Sequence, residues 1–480
     1  MHIVDMIYYW ARTVPHRHAI IQNDMVTTFQ GLADAIESIG ERIDRLNLST
    51  REPVAVCIAN PSFMLATIFG LLSNGYSAAP VNSRFYPYLR EAGIRNLIYD
   101  TDGQVTSGGR NIRFDMSWLP GPRQAVTTRA YHKRPIRNAS LIFFTSGTTG
   151  VPKKVVRSAA ASEARLRYCM DSSEAYQRVF IMPGLTSSYG LNRAYEVFNS
   201  GKTACFAPDG VAALALINLF GVDVVLASSA QALALADLKN KNPGYRVDSL
   251  KAIFIGGGKI GRDGIARIRT ALCRNVINTY GATEAGAVGR TPLDVLADEP
   301  GAIAFPWVEL QIVDDTGAQL PAATEGTIRY RTPQLIENIK AVGPHEIPGV
   351  RDGWFYPGDL GSVDDEGVLH LAGRSSDVLN RGGLKVSGNR IEEILAEMPE
   401  IREAAACSGA GTSWLEEIWI AVVPHGEVDI DAIKQYLAKH SDVGIAPDEV
   451  FVVKQIPRDD LGKIQKHRLQ ELLLALKESA

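Results

Sequence analysis

At 480 residues the chain exceeds one ordinary domain and predicts two or three. It is 46% apolar and 21% charged, a globular balance with ample core. Fifty Lys and Arg against 53 Asp and Glu leave a net charge of −3, so no basic surplus points to nucleic acid or an anionic membrane.

Five cysteines (Cys57, Cys169, Cys205, Cys273 and Cys407) are scattered, with no CxxC and no neighbouring His. They imply neither zinc nor a disulfide framework, and each is read as a reduced thiol filling a small core space. The N-terminus lacks the basic start, apolar run and cleavage site of a signal peptide. No stretch reaches the roughly 18 apolar residues that span a bilayer, so the expected location is the cytoplasm.

In chain order, residues 3–12 have helical spacing, and 27–29 open a strand-to-helix step. The helix from Gln30 to Leu46 places Leu32, Ile36, Ile39 and Ile43 on one face. Strands are predicted at 53–59 and 77–81, with a helix between them from Phe63 to Asn74, ended by Gly75. This alternation predicts an α/β fold with mostly parallel sheet. A helix over 160–175 and strands at 179–183, 203–206, 222–227, 252–255 and 276–278 extend it. Around Gly301 the pattern changes to short strands joined by Asp-Thr-Gly and Asp-Glu-Gly turns, a small antiparallel, barrel-like part. Beyond Asp377 a small α+β unit is predicted. It has a helix at 389–398, strands near 404–408, 417–423 and 450–455, and a last helix with Leu469, Leu472, Leu473 and Leu476 on one stripe. The expected domains are 1–374 and 377–480, with a boundary at 375–376.

Four motifs carry chemistry. In LIFFTSGTTGVPKKVVR (141–157) an apolar strand empties into a hydroxyl- and glycine-rich loop with Lys153 at its far end. Such a loop wraps phosphate: glycines turn N–H groups inward, hydroxyls add donors and the ammonium adds charge. It is not a Walker loop, because no Gly-Lys-Ser/Thr follows at the required spacing. In NTYGATE (278–284) a strand leads to an aromatic ring, a hydroxyl and a carboxylate. The ring offers a face for a purine, and the carboxylate can hold a magnesium ion beside phosphate oxygens. In GWFYPGD (353–359), followed by Gly373-Arg374, a turn carboxylate can accept bonds from two ribose hydroxyls. In PRDDLGKI (457–464) a lysine follows glycine near the C-terminus.

Together, and in this order, the four motifs resemble those of the AMP-forming acyl and aryl acid ligases, the adenylate-forming superfamily. GYSAAPVN (75–82) is similar to a further step of that family. The resemblance implies a large α/β adenylating domain and a small mobile α+β lid. It implies ATP held by Thr145, Ser146, Gly147, Thr148, Thr149, Gly150 and Lys153, with Gly257, Gly258 and Gly281 beside it. Tyr280 stacks on adenine, Asn278 reaches its amino group, and Asp359 and Arg374 bind the ribose. Thr283 meets the α-phosphate and Glu284 holds Mg²⁺. Lys463 is the catalytic lysine, offsetting repulsion between an anionic carboxylate and an anionic triphosphate. Gly382 and Gly383 pass a pantetheine arm, and Ser376 is the hinge. The implied reaction joins a carboxylic acid to ATP as acyl-AMP with loss of pyrophosphate, then hands the acyl group to a thiol. Coenzyme A is the expected acceptor; carrier-protein phosphopantetheine, an amine, or a catalytically lapsed nucleotide binder are the alternatives. A homodimer is compatible.

The chain departs from the family pattern at Lys154, Ser376, Asn380, Gly388 and Arg390. The acyl pocket is expected near Ser187 and Tyr189, where small hydroxylic residues leave room for a ring or a polar acid. No acidic residue lies between Pro183 and Tyr195 to pair an α-amine. Lys259 or Arg193 is the candidate to hold a second anionic group on the substrate.

Overall fold

The helix Pro61–Ser73 carries no charge and buries eleven of its residues. Asn60 caps it by accepting from the Ser62 and Phe63 N–H groups, and Pro61 stands at its first position. A helix that is apolar on every side must be enclosed. In the computed structural model of the chain it lies between two sheets, with helices Ile3–Thr13, Phe29–Arg45 and Ser188–Asn199 packed into the same core. The structure describes residues 2–23, 25–101, 109–121, 139–145, 153–168, 176–258, 260–291, 301–336, 339–341, 349–381, 384–409, 417–440, 447–459 and 462–479.

The first sheet has seven strands, with parallel neighbours Ser140–Thr145, Ala78–Pro80, Val54–Cys57, Asn96–Tyr99 and Arg110–Arg113. Lys153–Ser158 and Ile339–Ala341 extend it antiparallel. The second sheet has fifteen strands. Its parallel block runs His18–Gln22, Thr203–Phe206, Arg178–Ile181, Val224–Ala227, Ala252–Gly256 and Val276–Ala282. These strands are apolar runs because both faces are covered. Helices Gly210–Phe220, Ser229–Lys241 and Arg262–Ala271 close the face away from the first sheet.

Among the described residues, the antiparallel strands from Ala302 to Arg374, Ile339–Ala341 apart, are continuous with the second sheet. Val276–Ala282 is parallel to Ala252–Gly256 on one edge and turns back against Gly286–Arg290 on the other. Ala302–Ala304, Val368–Arg374, Asp359–Val363 and Gly326–Arg331 then add to the same sheet. One long strand therefore joins the parallel block to the antiparallel region.

Past the 3₁₀ turn Ser375–Asp377 comes a three-stranded sheet, Ile401–Gly409, Glu417–Pro424 and Glu449–Val452. It is apolar on both faces. Ile418, Ile420 and Val422 meet helices Gly388–Ala396 and Ile430–His440, while Trp419, Ala421 and Val423 meet helix Lys466–Ser479. Only Leu469 and Leu473 of the expected leucine stripe are buried; Leu472 and Leu476 are 36% and 40% exposed. A single i, i+4 pair covers the strip of sheet available to this helix. Elsewhere, the helix expected over 160–175 ends at Arg167 with Tyr168 as its cap, and residues 169–175 lie outside the described residues. The strand His18–Gln22 and the helix Ile430–His440 are absent from the sequence expectations. Cys57, Cys205, Cys273 and Cys407 are buried free thiols, and Cys169 lies outside the described residues. No described helix is long and apolar enough to cross a membrane.

Candidate active site

The site begins where the parallel block ends. Asn278 and Tyr280, two apart on one strand, share a side of the sheet, while Thr279 faces the other and donates to the Ile255 carbonyl at 2.9 Å. The Tyr280 hydroxyl donates to Asp359 Oδ2 at 2.7 Å. Asp359 faces Arg374 across neighbouring strands, with Nε 3.3 Å from Oδ1. The carboxylate is thus gripped from both sides. Burial, then Tyr330 and Asp359, push the Tyr280 phenol well above its ordinary value, which keeps it a donor. Asn278 is buried, and its Oδ1 has no hydrogen-bond partner among the described residues. An unpaired amide oxygen beside an aromatic ring fits the exocyclic amine of a purine. Gly281 follows at a bulge, where a Cβ would stand 3.0 Å from Ala287 Cα and closer still to the Gly286 carbonyl.

Elsewhere, Thr145 and Lys153 are paired across neighbouring strands on either side of the Ser/Thr/Gly loop. Ser146, Gly147, Thr148, Thr149 and Gly150 lie outside the described residues. Burial lowers the Lys153 pKa, opposed by Glu284 and reinforced by Arg374. The turn bearing Thr283 and Glu284 is pinned by its backbone. The Thr283 carbonyl accepts from Arg165 Nη2 at 2.7 Å and the Glu284 carbonyl from the Ile336 N–H at 2.8 Å. Both residues line the cleft. Lys154 turns to the opposite face of its strand and donates to the Ala92 carbonyl at 2.5 Å, so it adds no charge beside Lys153.

The C-terminal unit contributes Lys463 to the same cleft, whose volume is about 1940 Å³. Its loop is closed by hydrogen bonds from Gly462 N to Asp459 O (2.9 Å), Lys463 N to Asp459 Oδ1 (2.9 Å) and Asp459 N to Lys463 O (2.8 Å). Arg458 ties it to Gly462 O and to Glu403, both at 2.8 Å. Lys463 then lies over Gly257, where a Cβ would sit 3.9 Å from its Cε; Gly257 has φ +84°, a conformation open to glycine. Crowding by protein atoms, then the Arg374 charge, push this ammonium down, against the pull of Asp459, Asp359 and Glu284.

Gly258 lines the cleft and accepts from Ser229 Oγ at 3.2 Å. Lys259, Gly382 and Gly383 lie outside the described residues. Ser376 falls in the 3₁₀ turn, beside Ser375, whose N–H and Oγ bond the Gly358 carbonyl at 2.8 and 3.0 Å. Of the departures, Gly388 opens a helix where a Cβ would stand 3.1 Å from the Asp377 carbonyl, and Arg390 pairs with Glu393 at 3.8 Å.

Of the residues expected at the acyl pocket, Ser187 caps helix Ser188–Asn199, accepting from Gly190 N at 3.0 Å and donating to Gly184 O at 2.7 Å. Its hydroxyl is therefore committed locally. The Tyr189 ring packs on Gly256, where a Cβ would meet its Cζ at 2.8 Å. Arg193 pairs with Glu196 at 2.6 Å and stacks on Tyr189. That carboxylate offsets its charge. Sequence reasoning missed Arg157 and Arg165, both buried and both lining the cleft. The available signal was phase: Ala159, Ser162 and Arg165 recur at helical spacing on the buried face.

A large unit bearing Tyr280, Asp359 and Arg374 and a small one bearing Lys463 thus share one cleft. The chain belongs to the AMP-binding enzyme family: residues 7–338 match its main domain and 390–463 its C-terminal domain. It is 26% identical to a 2-succinylbenzoate–CoA ligase of Bacillus cytotoxicus, over 96% of each chain. Its fold is similar to that of an o-succinylbenzoate coenzyme A synthetase from Bacillus subtilis in complex with ATP and magnesium (TM-score 0.83, 21% identity, 97% of this chain and 99% of that one). It is also similar to that of the amide bond synthetase McbA from Marinactinospora thermotolerans (TM-score 0.79, 20% identity, 98% and 99%).

Proposed function

We infer that this protein is an AMP-forming acid–thiol ligase that uses ATP, Mg²⁺ and coenzyme A. The observation that carries the reading is the convergence of Tyr280, Asp359 and Arg374 from the large unit with Lys463 from the small one on a single cleft. Asp359 accepts from the ribose hydroxyls, Asn278 from the adenine amine, and the Tyr280 ring flanks the base. Thr145, Lys153 and the 146–150 loop receive the phosphates, with Gly257, Gly258 and Gly281 giving the nucleotide close backbone approach.

Glu284 would hold Mg²⁺, which supplies charge neutralisation on the phosphate oxygens. Lys463, in the same cleft as Asp359 and Glu284, stabilises the negative charge that builds as a carboxylate oxygen attacks the α-phosphorus. The new bond joins that oxygen to phosphorus, and the bond to pyrophosphate breaks. In the second step the thiolate attacks the acyl carbon, AMP leaves, and the thiol proton passes to solvent. We place the domain boundary and hinge at Ser375–Ser376, with Gly382 and Gly383 beside the pantetheine arm. Small acids are the substrates, and the expected site of action is the cytoplasm.

Lys463 and Glu284, both at the cleft, support an enzyme over a lapsed nucleotide binder. The test is pyrophosphate release from MgATP across a panel of carboxylic acids, with coenzyme A, a pantetheinylated carrier protein or an amine as acceptor. Acid-dependent release with thioester formation on coenzyme A is expected. Nucleotide binding without release for every acid would contradict the reading.

A further inference from the structure

Two buried arginines, Arg157 and Arg165, line the cleft. Arg157 is 1% exposed, sandwiched between the rings of Phe143 (4.9 Å) and Tyr195 (5.8 Å). One Nη donates to Asn192 Oδ1, while Nε and Nη2 have no hydrogen-bond partner among the described residues. Arg165, 7% exposed, reaches Thr283 O at 2.7 Å and Ser188 Oγ at 3.5 Å, and its Nε has no such partner either. Asn192 Nδ2 donates to the same Ser188 hydroxyl at 3.2 Å, so one chain of contacts links the two guanidiniums.

Glu196 pairs with Arg193 at 2.6 Å. Glu284 and Glu196 offset part of the Arg165 charge, whereas the group that favours the Arg157 charge is the Tyr195 phenol. Burial lowers both arginines' affinity for their protons, Arg157 to about 10, and Arg157 further depresses Arg165. Two like charges held out of water are costly unless an anion joins them. Guanidinium forks are matched to carboxylates.

We propose that the acid activated here carries a second carboxylate, bound by Arg157 and Arg165. This rests on the adenylation reading and narrows its substrate class to diacids. The Thr283 carbonyl ties Arg165 to the residue next to the α-phosphate, so the two carboxylates of the substrate are close together.

The test compares short diacids, from malonate to adipate and including phthalate, with their monomethyl esters, which keep shape and lose one charge. Acid-dependent pyrophosphate release is measured for the wild type, Arg165→Gln and Arg157→Gln. The preferred diacid is expected to exceed its monoester by about 10²-fold in kcat/KM, and either substitution to bring the two near parity. Monoesters or simple monoacids used as well as diacids would overturn the inference alone, as would a preference surviving Arg165→Gln. Release with no acid at all would instead overturn the adenylation reading. Should a variant fail to fold, the wild-type comparison of diacid and monoester decides.

Discussion

Tyr280 and Asp359 stand 79 positions apart in the chain, yet a 2.7 Å hydrogen bond joins them. That bond and the Arg374 contact fix the carboxylate before any nucleotide arrives, which lowers the ordering cost of binding. Asp359→Asn keeps the shape and loses the charge. It is expected to raise the KM for ATP by about 10-fold or more, measured by pyrophosphate release at saturating acid, with the melting temperature little changed. In the proposed reaction Lys463 acts through its charge. Lys463→Ala is expected to slow adenylation by roughly 10²–10³-fold while AMP still binds. Because its pKa is lowered, the protonated, active form is lost at a lower pH than for an ordinary lysine. The rate of adenylation should therefore fall on the alkaline side below the usual lysine range, and Lys463→Arg should shift that limb upward.

At the scale of elements, the hairpin Val276–Ala282 with Gly286–Arg290 is the joint of the site, and Gly281 is its tightest point. Gly281→Val would force a Cβ against Ala287 and the Gly286 carbonyl. The expected cost is about 1–3 kcal/mol, read as a lower melting temperature together with weaker AMP binding. In the last helix, Leu469→Ala should cost about 2–5 kcal/mol, whereas Leu472→Ala should stay within about 0.5 kcal/mol. Denaturant titration of the two variants checks this. The leucine stripe reads evenly in the sequence because spacing reports phase and not the width of the surface that the helix covers. His18–Gln22 was similarly hidden: a short strand between a helix and a turn has too few alternations to show.

Across the whole molecule, described residues of all four motifs line one cleft, and each motif was legible because it sits where a strand ends or a turn is forced, positions that need particular residue types. The continuity of the fifteen-stranded sheet was not legible, since pairing between distant strands leaves no local pattern. The two buried arginines of the cleft were hidden for the opposite reason. Arg157 and Arg165 look like surface residues by type, and only the packing around them shows that they are buried. Family membership joins these scales: residues 7–338 and 390–463 match two domains that meet at one cleft.

The most direct measurement is a crystal structure of the protein with ATP and magnesium. The ribose hydroxyls should lie within hydrogen-bonding distance of Asp359, the purine against Tyr280, and the α-phosphate between Thr283 and Lys463. A nucleotide found elsewhere in the molecule, with Tyr280 and Asp359 still bonded to each other and untouched by it, would contradict the account.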